Sequence, residues 1–105
     1  MRLNSVECAA IAAASHEAFP PGTRVLLFGS RLDDTKRGGD IDLLIEPPQP
    51  LAPHELVERR TRFAARLYRL LEERRIDIVV TRGREPDERA VVRAAREHGL
   101  ELVTT

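Results

Sequence analysis

Two carboxylates one residue apart, Asp40 and Asp42 in the run Asp40-Ile41-Asp42-Leu43-Leu44-Ile45, are the residues of this sequence best suited to chemistry. On a strand that spacing sends both side chains to one face, while Ile41 and Leu43 go to the other. Two ionised carboxylates about 5 Å apart repel by roughly 3 kcal/mol at an effective dielectric of ~20, so the pattern asks for a cation between them. Donors that are all oxygen suit Mg²⁺, and a pair of such ions needs at least one carboxylate that bridges both. A third acid stands at Asp77, inside the otherwise apolar run Ile76-Asp77-Ile78-Val79-Val80, where an unpaired charge is costly.

Upstream of these acids, Gly29-Ser30-Arg31 follows the apolar run Val25-Leu26-Leu27-Phe28. A glycine allows close backbone approach, the N–H groups of the turn after it can grip an anion, and the Ser30 hydroxyl adds a hydrogen bond. Arg31 is the best placed of the basic loop residues Arg31, Lys36 and Arg37 to meet a phosphate. A phosphate grip beside acids that hold divalent cations describes nucleotidyl transfer: an NTP is held on Mg²⁺, an acceptor hydroxyl attacks its α-phosphate, and pyrophosphate leaves.

The elements that must position these groups alternate along the chain. Asn4 and Glu7 have the spacing of a capping box, and the alanine-rich stretch after them predicts a first helix to about Ala18, stopped by Pro20 and Pro21. Val25–Phe28 reads as a buried strand that Gly29 ends, residues 31–39 as a polar loop, and Asp40–Glu46 as the next strand, closed by Pro47, Pro48 and Pro50. Pro53 suits a helix start. From Glu55 to about Arg74, Leu56, Phe63, Leu67, Leu70 and Leu71 form one buried stripe. Ile76–Val80 is rich in β-branched residues and predicts a third strand. A last helix is expected from Pro86, with Asp87 and Glu88 in its first turn and Gly99 as its stop, before a short strand over Leu100–Val103.

Composition narrows the function classes. A length of 105 residues, 42% of them hydrophobic, suits one domain spanning 1–105 and excludes separate nucleotide and acceptor domains. Seventeen basic residues balance seventeen acidic ones, which argues against a protein that holds nucleic acid by counterion release. Arg59, Arg60, Arg62, Arg66 and Arg69 read as a solvated helix face, because Glu55 and Glu58 precede Arg59 and Arg62 by four residues. Four aromatics, Phe19, Phe28, Phe63 and Tyr68, are too few and too core-like in spacing to stack bases. His16, His54 and His98 form no ligand spacing with one another or with Cys8. A lone cysteine, which reads as a small core residue, permits no internal disulfide and fits a reducing compartment, so a cytoplasmic address is expected. No apolar run approaches the ~20 residues that span a bilayer, and no export segment is apparent at the N-terminus.

Leu27-Phe28-Gly29-Ser30-Arg31, the spacer, Asp40-Ile41-Asp42-Leu43 and Asp77 together resemble the minimal nucleotidyltransferases of the DNA polymerase beta superfamily, over almost the whole chain. Many relatives carry serine where this chain has Gly39. The resemblance implies an α+β fold, with a mixed β-sheet of three or four strands flanked by helices. It implies Asp40, Asp42 and Asp77 as catalytic metal ligands for two Mg²⁺ ions, Asp77 near the acceptor hydroxyl, and Gly29, Ser30 and Arg31 as nucleotide binders, with ATP or another NTP as substrate. Relatives this short are typically antitoxin-like partners of a small helical companion, of the HEPN or substrate-binding type, and some resemble adenylyltransferases that place AMP on the toxin. The expectation is therefore AMP transfer from ATP onto a hydroxyl of such a companion. The alternative is a non-catalytic antitoxin that neutralises its partner by complex formation, and a third reading is transfer onto a small molecule. The apolar stripe of the Glu55–Arg74 helix suits a core or an interface, with the companion or with a second copy.

Overall fold

The computed structural model describes residues 3–29, 40–71 and 75–105, with the backbone alone at Asp40. The elements run α1 (Ser5–Ala18), β1 (Arg24–Phe28), β2 (Asp40–Glu46), α2 (Pro53–Leu70), β3 (Arg75–Val80), α3 (Ala90–His98) and β4 (Leu100–Thr104). This is the expected helix-flanked mixed sheet. Asn4 and Glu7 close the capping box in full: the Asn4 side chain accepts the Glu7 N–H at 2.8 Å and Glu7 Oε1 accepts the Asn4 N–H at 3.1 Å. Ile11, Ala14 and Ala18 then fall on one helical stripe and are buried, and the chain leaves the helix at an extended Phe19.

The sheet order is β3-β2-β1-β4, with β1 antiparallel to both β2 and β4 and β2 parallel to β3. Parallel neighbours cannot be joined by a tight turn, so α2 serves as the crossover between them. Period-2 alternation sorts the strands into two layers. Val25, Leu27, Ile41, Leu43, Ile45, Ile76, Ile78 and Val80 join α1 and α2 in the larger core, where Phe63 meets Phe19 edge-on at 5.5 Å between ring centres. On the opposite face Leu26 and Leu44 pack with Val92 and Ala95 of α3, flanked by Phe28 and Val79.

Several expectations need correction. The last helix begins at Ala90 rather than Pro86, because Asp87 accepts hydrogen bonds from the Arg89 backbone N–H at 3.0 Å and from its guanidinium at 2.8 and 3.0 Å, holding that stretch in a turn. Asp87 and Glu88 therefore precede the helix. Leu67 and the C-cap residue Leu71 are buried as expected, but Leu70, in the last turn of α2, is 40% exposed. Tyr68 is 46% exposed rather than a core aromatic, and Cys8 packs only partly buried at the margin of the larger core. The arginine face of α2 carries the expected pairs, Arg59 with Glu55 at 3.2 Å and Arg62 with Glu58 at 3.1 Å. Two of its members also reach backbone, Arg59 donating to the Ala18 carbonyl and Arg60 to that of Ile78.

Candidate active site

The acids stand at one end of the α3 face of the sheet. Along β2 that face carries Asp42, Leu44 and Glu46 in alternation: Leu44 lies beneath α3, and buried Glu46 occupies the far end. Glu46 is engaged there by three guanidinium groups, Arg24 at 3.1 Å, Arg96 at 3.0 Å and Arg84 at 3.8 Å. That cation-rich end and the acid end are separated by the apolar floor under α3.

Backbone register brings Asp42 and Asp77 together. Asp42 of β2 is the partner of Phe28 in β1 on one side and of Asp77 in β3 on the other. Directly paired residues of neighbouring strands project to the same face with strands ~4.8 Å apart, so Phe28, Asp42 and Asp77 form one row across three strands. Asp42 is half-buried and Asp77 is exposed. The Asp40 backbone lies one row further out, opposite Arg75.

Gly29 completes the described part of the site. It leaves β1 with φ +78°, in the left-handed region that glycine adopts without a Cβ penalty. Its Cα lies against the Asp42 side chain: a Cβ built there would strike Oδ2 and stand 3.1 Å from Cγ. Gly29 is therefore the residue that lets the strand turn away while the Asp42 carboxylate stays in its place. Ser30 and Arg31, expected to bind the triphosphate, lie outside the described residues, as do Lys36 and Arg37.

The donor chemistry fits a hard divalent cation. Asp42 and Asp77 offer carboxylate oxygens on one face, and Gly29, having no Cβ, leaves room for the Asp42 carboxylate. Among the described residues no group of three His, Cys, Asp or Glu side chains is gathered closely enough to hold a metal ion, and the third expected ligand, Asp40, enters by its backbone position alone. Sequence reasoning passed over Arg75, a cation two residues before Asp77 and opposite Asp40. Its position is readable once β3 and β2 are known to be parallel and in register. A hollow of about 560 Å³ lies elsewhere, at the opposite end of β3, lined by Leu56, Val80, Arg82 and Pro86–Arg89.

Residues 10–101 match the family model for the nucleotidyltransferase domain. The chain belongs to that family. Among curated proteins none matches it. In fold, this nucleotidyltransferase domain is similar to a chain of a solved structure, the crystal structure of a toxin-antitoxin with AMP-PNP. The TM-score is 0.66 at 22% identity, and the match covers 93% of this chain and 73% of that one. The mixed sheet and its flanking helices are thus those of a nucleotidyltransferase domain, and the acid row at the mouth of β2 and β3 lies within the matched span. No described helix is long and apolar enough to cross a membrane.

Proposed function

We propose that this nucleotidyltransferase domain transfers AMP from ATP onto a hydroxyl of a companion protein, a small helical toxin of the HEPN type, and so acts as the antitoxin of the pair. The reading places the protein in the cytoplasm. The observation that carries it is the pairing of Asp42 with Asp77 on one face of the sheet, with the Gly29 backbone set against Asp42. The likeness in fold to a chain of a toxin-antitoxin structure with AMP-PNP supports the choice of nucleotide and partner class.

In this reading Asp40, Asp42 and Asp77 hold two Mg²⁺ ions. When bound, the ions neutralise triphosphate charge and lower the pKa of the attacking hydroxyl. The chain's own residues supply position. Asp42 sits at the centre of the acid row, shared between both sides of the site. Asp77, the exposed acid on β3, is assigned the acceptor side, as the resemblance implies. Ser30 and Arg31, which follow Gly29 in the sequence, are assigned the phosphates, through backbone N–H, hydroxyl and guanidinium. The acceptor oxygen bonds to the α-phosphorus as the bond to pyrophosphate breaks, and the hydroxyl proton passes to solvent.

The test is incubation with the helical protein encoded beside it and MgATP, followed by intact-mass spectrometry. The partner gains one or more AMP units with the wild-type chain and none with Asp42→Asn. A partner whose mass is unchanged by the wild-type chain contradicts the proposal.

A further inference from the structure

Asp77 rides on β3, which is an edge strand, paired among the described residues with β2 alone. In a parallel pair successive residues turn their backbone groups alternately toward the neighbour and away from it. The Thr81 N–H donates to the Ile45 carbonyl across the pair, so odd-numbered residues of β3 face β2 and the carbonyls of Ile76, Ile78 and Val80 face outward. Each outward carbonyl meets a side-chain donor. The Tyr68 hydroxyl donates to Ile76 O at 3.3 Å, the Arg60 guanidinium to Ile78 O at 3.2 and 3.3 Å, and Arg89 to Val80 O at 3.2 Å.

Two of these donors, both from α2, bracket Asp77: one holds the residue before it and the other the residue after it. We infer that Tyr68 and Arg60 are positioning residues for the site, fastening the free side of β3 so that Asp77 stays level with Asp42. An edge strand lacks the second ladder that would otherwise fix its height and twist, and unpaired edges are the part of a sheet most ready to slip or to recruit another strand. Tyr68 and Arg60 lie eight residues apart on one side of α2, so a single rigid helix sets both anchor points. This also accounts for the exposure of Tyr68: its hydroxyl, rather than its apolar area, is what the fold uses. The inference rests on the proposed role of Asp77 as a cation ligand and adds the residues that hold it in place.

The test uses Tyr68→Phe combined with Arg60→Met, and Arg60→Lys as the conservative variant that keeps a donor. In the metal-free protein, amide hydrogen exchange at Asp77 and Val79, whose N–H groups face β2, is expected to quicken several-fold in the double variant. Exchange at Leu43 in the sheet interior should stay unchanged. In a Mn²⁺ titration followed by paramagnetic broadening, the Asp77 amide of the double variant should need roughly tenfold more metal than wild type, the loss typical of a missing outer-shell partner. The Asp42 amide, paired with Asp77 and beside the same cations, should shift with it, and Tyr68→Phe with Arg60→Lys should recover most of the difference. Unchanged exchange at Asp77, or faster exchange with an unchanged Mn²⁺ response, overturns the positioning role. Failure of Mn²⁺ to broaden Asp77 even in the wild type instead overturns the proposed ligand role of Asp77, a result the exchange measurement does not mimic.

Discussion

Gly29 and Asp42 are in contact across the β1–β2 pair, the glycine at a left-handed φ of +78° and the carboxylate occupying the space its Cβ would fill. Any side chain at position 29 must both strain the backbone and displace the acid at the centre of the row. Gly29→Ala is therefore expected to cost about 1–2 kcal/mol of stability from the left-handed conformation alone. Its effect on nucleotidyl transfer should be larger, about 100-fold, because the acid is moved by an appreciable fraction of an ångström. Thermal unfolding together with a transfer assay separates the two effects; a variant that loses stability but transfers at the wild-type rate would show that the contact does not matter to the chemistry.

The acid row sets two carboxylates side by side on one face of the sheet, where like charges on neighbouring strands oppose each other. Asp77→Asn should leave the unfolding temperature of the metal-free protein equal or higher; millimolar Mg²⁺ or Mn²⁺ is expected to stabilise the wild type and not this variant. Scanning calorimetry with and without metal checks this. An Asp77→Asn protein that is still stabilised by metal as strongly as the wild type places the cation elsewhere.

How much of this was legible beforehand follows from the range of each interaction. The strand that carries Asp40 and Asp42, the capping box of Asn4 and Glu7, and the i,i+4 pairs of α2 are local, and each stands where the sequence pattern put it. The level of Asp77 against Asp42 is set by the crossover through α2, a pairing across 35 residues that no local pattern encodes. The same holds for Gly29 against Asp42, and for Tyr68 and Arg60 against the carbonyls of β3: their residue types suggested a core aromatic and a solvated cation. At Pro86–Arg89 a helix-start pattern lost to a local turn, because Arg89 satisfies Asp87 by both backbone and side chain before a helix can begin.

That turn gives a pH signature. The Arg89 side chain, and then its backbone N–H, hold the Asp87 carboxyl at about 2, below its ordinary 3.8. A carboxyl depressed in the folded state contributes stability above its unfolded value and loses it as pH falls toward the folded value. The wild type should exceed Asp87→Asn in unfolding temperature at neutral pH, and the gap should close between about pH 4 and pH 2. A gap that stays constant over that window would show that the pair carries no charge-dependent stability.

Glu46 is the buried hub for Arg24, Arg84 and Arg96 at the end of β2 away from the acid row. Removing one member of a buried charge network strands the others, and since the three arginines keep partial contact with water the cost of Glu46→Ala is expected near the low end, about 3 kcal/mol. Transfer per folded molecule should be unaffected, because α3 and the apolar floor separate this cluster from Asp42. Chemical denaturation and an assay normalised to folded protein decide it, and a loss of transfer without loss of stability would contradict the separation of the two ends.

The central claim is that Asp40, Asp42 and Asp77 cage divalent cations against a nucleotide triphosphate. A crystal grown with Mn²⁺ and a non-hydrolysable ATP analogue, read by anomalous scattering, addresses it without reference to any partner. The expected result is manganese at about 2.1–2.2 Å from carboxylate oxygens of Asp42 and Asp77, with the triphosphate beside Gly29. Manganese absent from that row, with the nucleotide seated instead in the hollow between Leu56 and Arg89, would contradict it.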